Sequence, residues 1–152
     1  MNFYNVIKKI AEEKDIALFC DMDGVIASYD VGKACNFDKK RPLKNNIKEL
    51  EEIGKLGNVE LYILSICRKD IQKDEKNSWL DINAPFFKKE NRNIISKESI
   101  VGKTSAELKA EFLNNFETDR QKILIDDDTT VLKCVSDNCK DAIVYHNSEL
   151  FD

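Results

Sequence analysis

No stretch of the 152-residue chain approaches the roughly 18–20 consecutive apolar residues that a bilayer crossing needs. The opening Met1-Asn2-Phe3-Tyr4-Asn5-Val6-Ile7-Lys8-Lys9 is broken by charge too early for a secretory signal, so no targeting segment is expected. An excess of positive charge is also missing: 24 Lys and Arg stand against 28 Asp and Glu, a net charge of −4. Coating a polyanion along its length depends on counterion release at a basic surface, so that role is excluded while a local basic patch is not. The five cysteines, Cys20, Cys35, Cys67, Cys134 and Cys139, are odd in number and include no C-x-x-C pair, which removes the signatures of a disulfide framework or a zinc site. Reduced thiols and a cytoplasmic location are expected. Histidine occurs once, as His146, and neither internal repeats nor a low-complexity linker is present.

What is present is the composition of a globular protein, 42% hydrophobic and 34% charged. The length suits one domain over residues 1–152. Apolar periodicity predicts helices over 2–14, 45–56, 70–82, 105–116 and 129–137. Short continuous apolar runs predict strands at 16–20, 59–64, 93–96, 122–125 and 142–145. Strictly alternating elements with fully apolar strands imply an α/β, Rossmann-like three-layer sandwich around a mostly parallel five-stranded sheet. Ligands in such sheets bind beyond the carboxyl ends of the strands, near the switch in strand order.

Two of those strand ends carry clustered aspartates. Asp21-Met22-Asp23-Gly24 ends the first strand and Asp126-Asp127-Asp128 ends the fourth. Carboxylates so close together repel one another and are costly to desolvate. A divalent cation offsets that cost, and Mg²⁺ takes carboxylate oxygens and water. Asp128 also suits the cap of the helix beginning at Thr129. Thr104-Ser105-Ala106-Glu107 is a capping box that opens another helix.

In order and strand context these runs resemble the haloacid dehalogenase superfamily. Leu18-Phe19-Cys20-Asp21-Met22-Asp23-Gly24-Val25-Ile26 resembles its first motif. Tyr62-Ile63-Leu64-Ser65 resembles the second, and Lys122-Ile123-Leu124-Ile125-Asp126-Asp127 the fourth. The resemblance implies a Mg²⁺-dependent phosphatase. Asp21 would be the nucleophile, Asp23 the general acid and then base, and Ser65 a ligand of a phosphoryl oxygen. Asp126 and Asp127, with Asp21 and the backbone carbonyl of Asp23, would hold the metal. Ile66 and Arg68, following Ser65, would sit beside the phosphate. A lysine between the second and fourth motifs would complete the set. Lys97, Lys103 and Lys109 all lie in that interval, and Lys103 is favoured because it adjoins the capping box at a helix N-terminus. The second aspartate, Asp23, favours phosphate chemistry over dehalogenation.

Within the superfamily, Asp-Met-Asp-Gly-Val-Ile-Ala at 21–27, Lys76-Asn77-Ser78-Trp79-Leu80, Gly102-Lys103-Thr104 and Leu124-Ile125-Asp126-Asp127 look like the 5′(3′)-deoxyribonucleotidase group. Two departures stand out. Ser28 replaces a commonly acidic residue, and only about 40 residues separate Asp23 from Ser65. Residues 27–44 therefore suit a flap or minimal cap and not a helical one. The resemblance makes a nucleotide or related small phosphate the expected substrate, as for a 5′-nucleotidase; an open site alternatively accepts a polynucleotide 3′ end or another large phosphorylated partner, or takes a lid from a second subunit. Nucleic acid enters only as substrate. The basic segment Lys33–Arg41, with Phe37, is a candidate for stacking a base. A non-catalytic phosphate- or Mg²⁺-binding module is the rival class, and the retention of both Asp21 and Asp23 counts against it. Trp79 is assigned to packing, and His146 has no catalytic role.

Overall fold

The computed structural model describes residues 2–29 and 37–151. The chain runs α1 (Phe3–Ala11), β1 (Ile16–Cys20), α2 (Lys44–Gly54), β2 (Val59–Cys67), α3 (Ile71–Asn83), β3 (Arg92–Ser96), α4 (Ser105–Asn115), β4 (Gln121–Asp126), α5 (Thr129–Asn138) and β5 (Ala142–His146). The five strands form one sheet in the order β3-β2-β1-β4-β5, and every pairing is parallel. The expected α/β, Rossmann-like architecture is present.

Side chains alternate along β1 and feed two apolar layers. Ile16, Leu18 and Cys20 pack with Phe3 and Ile7 of α1, Leu50 and Ile53 of α2, and Trp79 of α3. Ala17 and Phe19 point the other way, toward Ala106, Ala110 and Leu113 of α4 and Val131 and Val135 of α5. All five β1 residues are buried, which explains the uninterrupted apolar run in place of a polar-apolar alternation. On the second face Phe19 stacks on Tyr62 at 4.8 Å and meets Phe116 edge-on at 5.1 Å.

The strand order reverses beside β1, which pairs with β2 on one side and β4 on the other. Cys20 aligns with both Ile63 and Ile125, so the residue after it, Asp21, comes level with Asp126. Asp21 N–H donates to the Ile125 carbonyl at 3.0 Å, which extends the pairing by one step and holds the two acids side by side.

Between β1 and α2 the described residues contain one 3-10 turn, Phe37–Lys39, and no α-helix. Ala27 bridges to Pro42, and Leu43 N–H donates to Ile26 O at 2.8 Å, so the ends of this segment are tied together. Of the basic segment proposed for base stacking, Lys33 to Asn36 lie outside the described residues. Phe37 is 3% exposed and packs edge-on against Trp79 at 5.8 Å, so its ring is committed to the core and is not a stacking surface. Among the described residues no helix is long and apolar enough to cross a membrane.

Candidate active site

A tight turn follows β1. The Met22 carbonyl accepts from the N–H groups of Val25, Ile26 and Ala27 at 3.2, 3.0 and 2.9 Å. Gly24 sits at φ +77°, a conformation that side-chain-bearing residues rarely adopt. A Cβ at Gly24 would also collide with the Asp127 carboxylate. Glycine thus serves twice here, turning the chain and letting the fourth-strand acids approach the first. The turn is pinned by Asn46 Nδ2 donating to Val25 O at 2.7 Å and Asn147 Nδ2 donating to Gly24 O at 2.7 Å.

Asp21, Asp23, Asp126 and Asp127 line one cleft of about 630 Å³ at the carboxyl ends of the strands. Three buried lysines meet them. Lys109 of α4 donates to Asp126 Oδ2 at 2.6 Å and lies 3.1 Å from Asp21 Oδ1. Lys76 of α3 donates to Ser65 Oγ at 2.6 Å and to the Ile66 carbonyl at 3.1 Å, and lies 3.7 Å from Asp23 Oδ2. Lys40 pairs with Asp23 Oδ1, while the Lys40 carbonyl accepts from the Trp79 indole N–H at 2.9 Å. Asp21, Asp23 and Asp126 thus share three ammonium groups, which spreads the desolvation cost over a network.

Burial pushes the Asp21 carboxyl up to about 6 even though Lys109 opposes the change. Burial also raises Asp126 against the pull of Lys109, and raises Asp127 with Asp21 adding to the effect. For Lys109, burial presses its value down, but Asp21 and Asp126 together outweigh that and hold it above the ordinary range. At Lys76 burial wins over Asp23 and Asp21 and lowers the value.

The favoured lysine of the sequence reading lies elsewhere. Lys103 is largely solvated, pairs with Glu111 at 2.6 Å and does not line the cleft. Its neighbour Thr104 does cap α4, accepting from Glu107 N–H at 3.1 Å, but the lysine entering the acidic cluster is Lys109, on the second turn of that helix. Lys97 lines the cleft without reaching the acids through any described ion pair, and Arg68 and Ile66 line it too. Ser65 is fully buried, does not line the cleft and accepts from Lys76. Asp128 caps α5, accepting from Thr130 N–H at 2.8 Å. His146 lies outside the cleft lining with Nδ1 2.9 Å from Ser148 Oγ. Cys20 and Cys67 are buried thiols whose values burial raises, as expected of small packing residues.

Lys40 and Lys76 escaped the sequence reading as site residues. A signal existed for Lys76, which shares the buried stripe of α3 with Trp79 and Leu80 at i+3 and i+4. Lys109 likewise sits in the stripe of Ala106, Ala110 and Leu113. A lysine at an apolar helix position is either paired or misplaced.

Asp21, Asp126 and Asp127 each offer a carboxylate oxygen, all within 4.8 Å of one another. An all-oxygen donor set whose acids are each raised by burial fits a hard divalent cation such as Mg²⁺. The Asp23 carboxylate stands apart from that trio, engaged by Lys40 and Lys76.

The fold and cleft define an α/β, Rossmann-like protein with an acidic site at the strand switch point. No family model matches the chain, and no curated protein sequence does. Among solved structures it is similar to a chain of the Pnkp1/Rnl/Hen1 RNA repair complex, with a TM-score of 0.67 and 14% identity over 88% of this chain. A second structure of the Pnkp1/Rnl/Hen1 complex matches with a TM-score of 0.68, also at 14% identity over 88% of this chain. The chain spans 42% and 46% of those two chains, less than half of either. The likeness is one of fold.

Proposed function

We propose that the protein is a Mg²⁺-dependent phosphomonoester hydrolase of the haloacid dehalogenase type, working through an aspartyl-phosphate on Asp21. The observation that carries this reading is the meeting of Asp21 with Asp126, Asp127 and Lys109 at the switch point. An Asp21 oxygen attacks phosphorus as the ester P–O bond breaks, and Asp23 gives its proton to the departing alkoxide. Water then attacks the aspartyl-phosphate, Asp23 takes the water's proton, and inorganic phosphate leaves with Asp21 restored. Lys109 holds Asp21 in line, and Lys76 sets the direction of the Ser65 hydroxyl toward a phosphoryl oxygen. Asp21, Asp126 and Asp127, with the Asp23 carbonyl, would hold Mg²⁺, which would supply positive charge against a dianionic phosphate.

The open cleft and absence of a helical cap among the described residues favour the phosphorylated end of a polynucleotide over a free nucleotide as the substrate. The fold shared with a chain of an RNA repair complex supports the same choice. The test is phosphate release from an aryl phosphate and from a 3′-phosphorylated oligonucleotide, with and without Mg²⁺. Turnover that needs Mg²⁺ and disappears in Asp21→Asn is expected. Turnover that persists in that variant contradicts the reading.

A further inference from the structure

We infer that Tyr29 is a nucleobase platform on the leaving-group side of the cleft, which makes the substrate the phosphorylated end of a single-stranded polynucleotide. The inference rests on the phosphatase reading above and adds a binding subsite to it. Tyr29 lines the cleft and is 70% exposed, the one aromatic ring in its lining among the described residues.

Its placement relative to the chemistry follows from Lys40. The Lys40 ammonium pairs with Asp23 and lies 5.7 Å from the centroid of the Tyr29 ring. One side chain therefore spans the distance from the leaving-group acid to the ring. The alcohol that Asp23 protonates emerges beside Tyr29, and a base attached to that sugar meets the ring first. Lys40 covers one face of the ring and enriches the contact as a cation over an aromatic, while the exposed remainder is open to a partner. Lys40 is itself fixed, with its carbonyl held by Trp79 and its ammonium 4.9 Å from the Phe37 ring, so the platform rests on a rigid base.

The rest of the rim completes the chemistry of a polymer end. Arg68, following β2, and Lys97, following β3, both line the cleft and are suited to a phosphodiester beyond the terminal nucleotide. A volume of about 630 Å³ exceeds what a lone phosphoryl group fills. Stacking on an aromatic is indifferent to which base is present, so one ring serves any sequence.

The test compares two short oligonucleotides carrying a 3′-phosphate, identical except that one has an abasic terminal sugar, in Mg²⁺ with wild type, Tyr29→Ala and Tyr29→Phe. Wild type should favour the base-bearing end by about tenfold in kcat/KM, the scale of one stacked base. That ratio should fall to about one in Tyr29→Ala and survive in Tyr29→Phe, which keeps the ring. A ratio near one in wild type, or one unaltered by Tyr29→Ala, overturns the inference. Should wild type release no phosphate from any substrate, the phosphatase reading is what fails. Fluorescence anisotropy with the same two oligonucleotides then judges Tyr29 separately: base-dependent binding lost in Tyr29→Ala supports the platform, and base-independent binding refutes it.

Discussion

Lys109, on the second turn of α4, places its Nζ 3.1 Å from Oδ1 of Asp21 at the end of β1. The same ammonium donates to Asp126 at 2.6 Å, so one buried cation ties the proposed nucleophile to the proposed metal ligands. Removing it leaves two buried carboxylates without their partner. Lys109→Met is expected to cost about 3–5 kcal/mol of stability in urea unfolding, the range for breaking a buried pair. Lys103→Ala removes only an exposed pair and should stay within about 0.5 kcal/mol, with phosphatase activity retained. Equal losses in the two variants would reverse the assignment of the lysine.

The acids also make a prediction about pH and metal. Asp21 is raised from 3.8 to about 6 by burial, so the native protein binds this proton more tightly than the unfolded chain does. The group's contribution to stability is therefore greatest below pH 4, falls as pH rises through about 4 to 6, and stays low above that, with Asp126 and Asp127 acting in the same direction. A divalent cation binds the ionised forms and cancels that loss. The rise in melting temperature on adding Mg²⁺ should be larger at pH 7.5 than at pH 5. An equal or larger rise at pH 5 would mean that these carboxylates do not hold the ion.

Gly24→Ala tests how the two acidic strand ends are brought together. Alanine is strained at φ +77°, and its methyl group would displace Asp127. A stability loss of about 1 kcal/mol or more is expected from the backbone alone. Mg²⁺ affinity by calorimetry should weaken as well. Unchanged affinity would show that Asp127 is not needed for the metal.

Trp79→Phe keeps most of the core volume but leaves the Lys40 carbonyl without its indole donor. A loss of about 1–3 kcal/mol is expected for that buried acceptor. Trp79→Ala should cost more, about 3–5 kcal/mol. If both cost the same, the hydrogen bond contributes nothing.

Much of the fold is legible in the sequence. The apolar run at 16–20 matches β1 residue for residue, because a strand buried on both faces has no other composition available. Asp21, Asp126 and Asp127 were legible as a group because strand ends in a parallel sheet share one edge. Lys109 lies in the same interval as Lys103 but carries no local capping signal of its own. The capping box at Thr104 is a local signal and drew attention to Lys103, whereas the burial of Lys109 depends on which face of α4 meets the sheet. Phe37 misled for a similar reason. A basic neighbourhood suggests an exposed ring, yet Lys40 turns inward to Asp23 and takes Phe37 with it against Trp79. The exposed aromatic of the cleft, Tyr29, carries no pattern that marks it in the sequence.

The central claim is that Asp21 carries the phosphoryl group, and trapping that group tests it most directly. An isotopically labelled phosphomonoester would be mixed with Mg²⁺-loaded wild type and Asp23→Asn, quenched in acid, and the digested peptides analysed by mass spectrometry. One phosphoryl group on the Asp21 peptide is predicted, at higher occupancy in Asp23→Asn, where the base for the second step is missing. Mg²⁺-dependent phosphate release by wild type, with no label on Asp21 in either protein, would contradict the account.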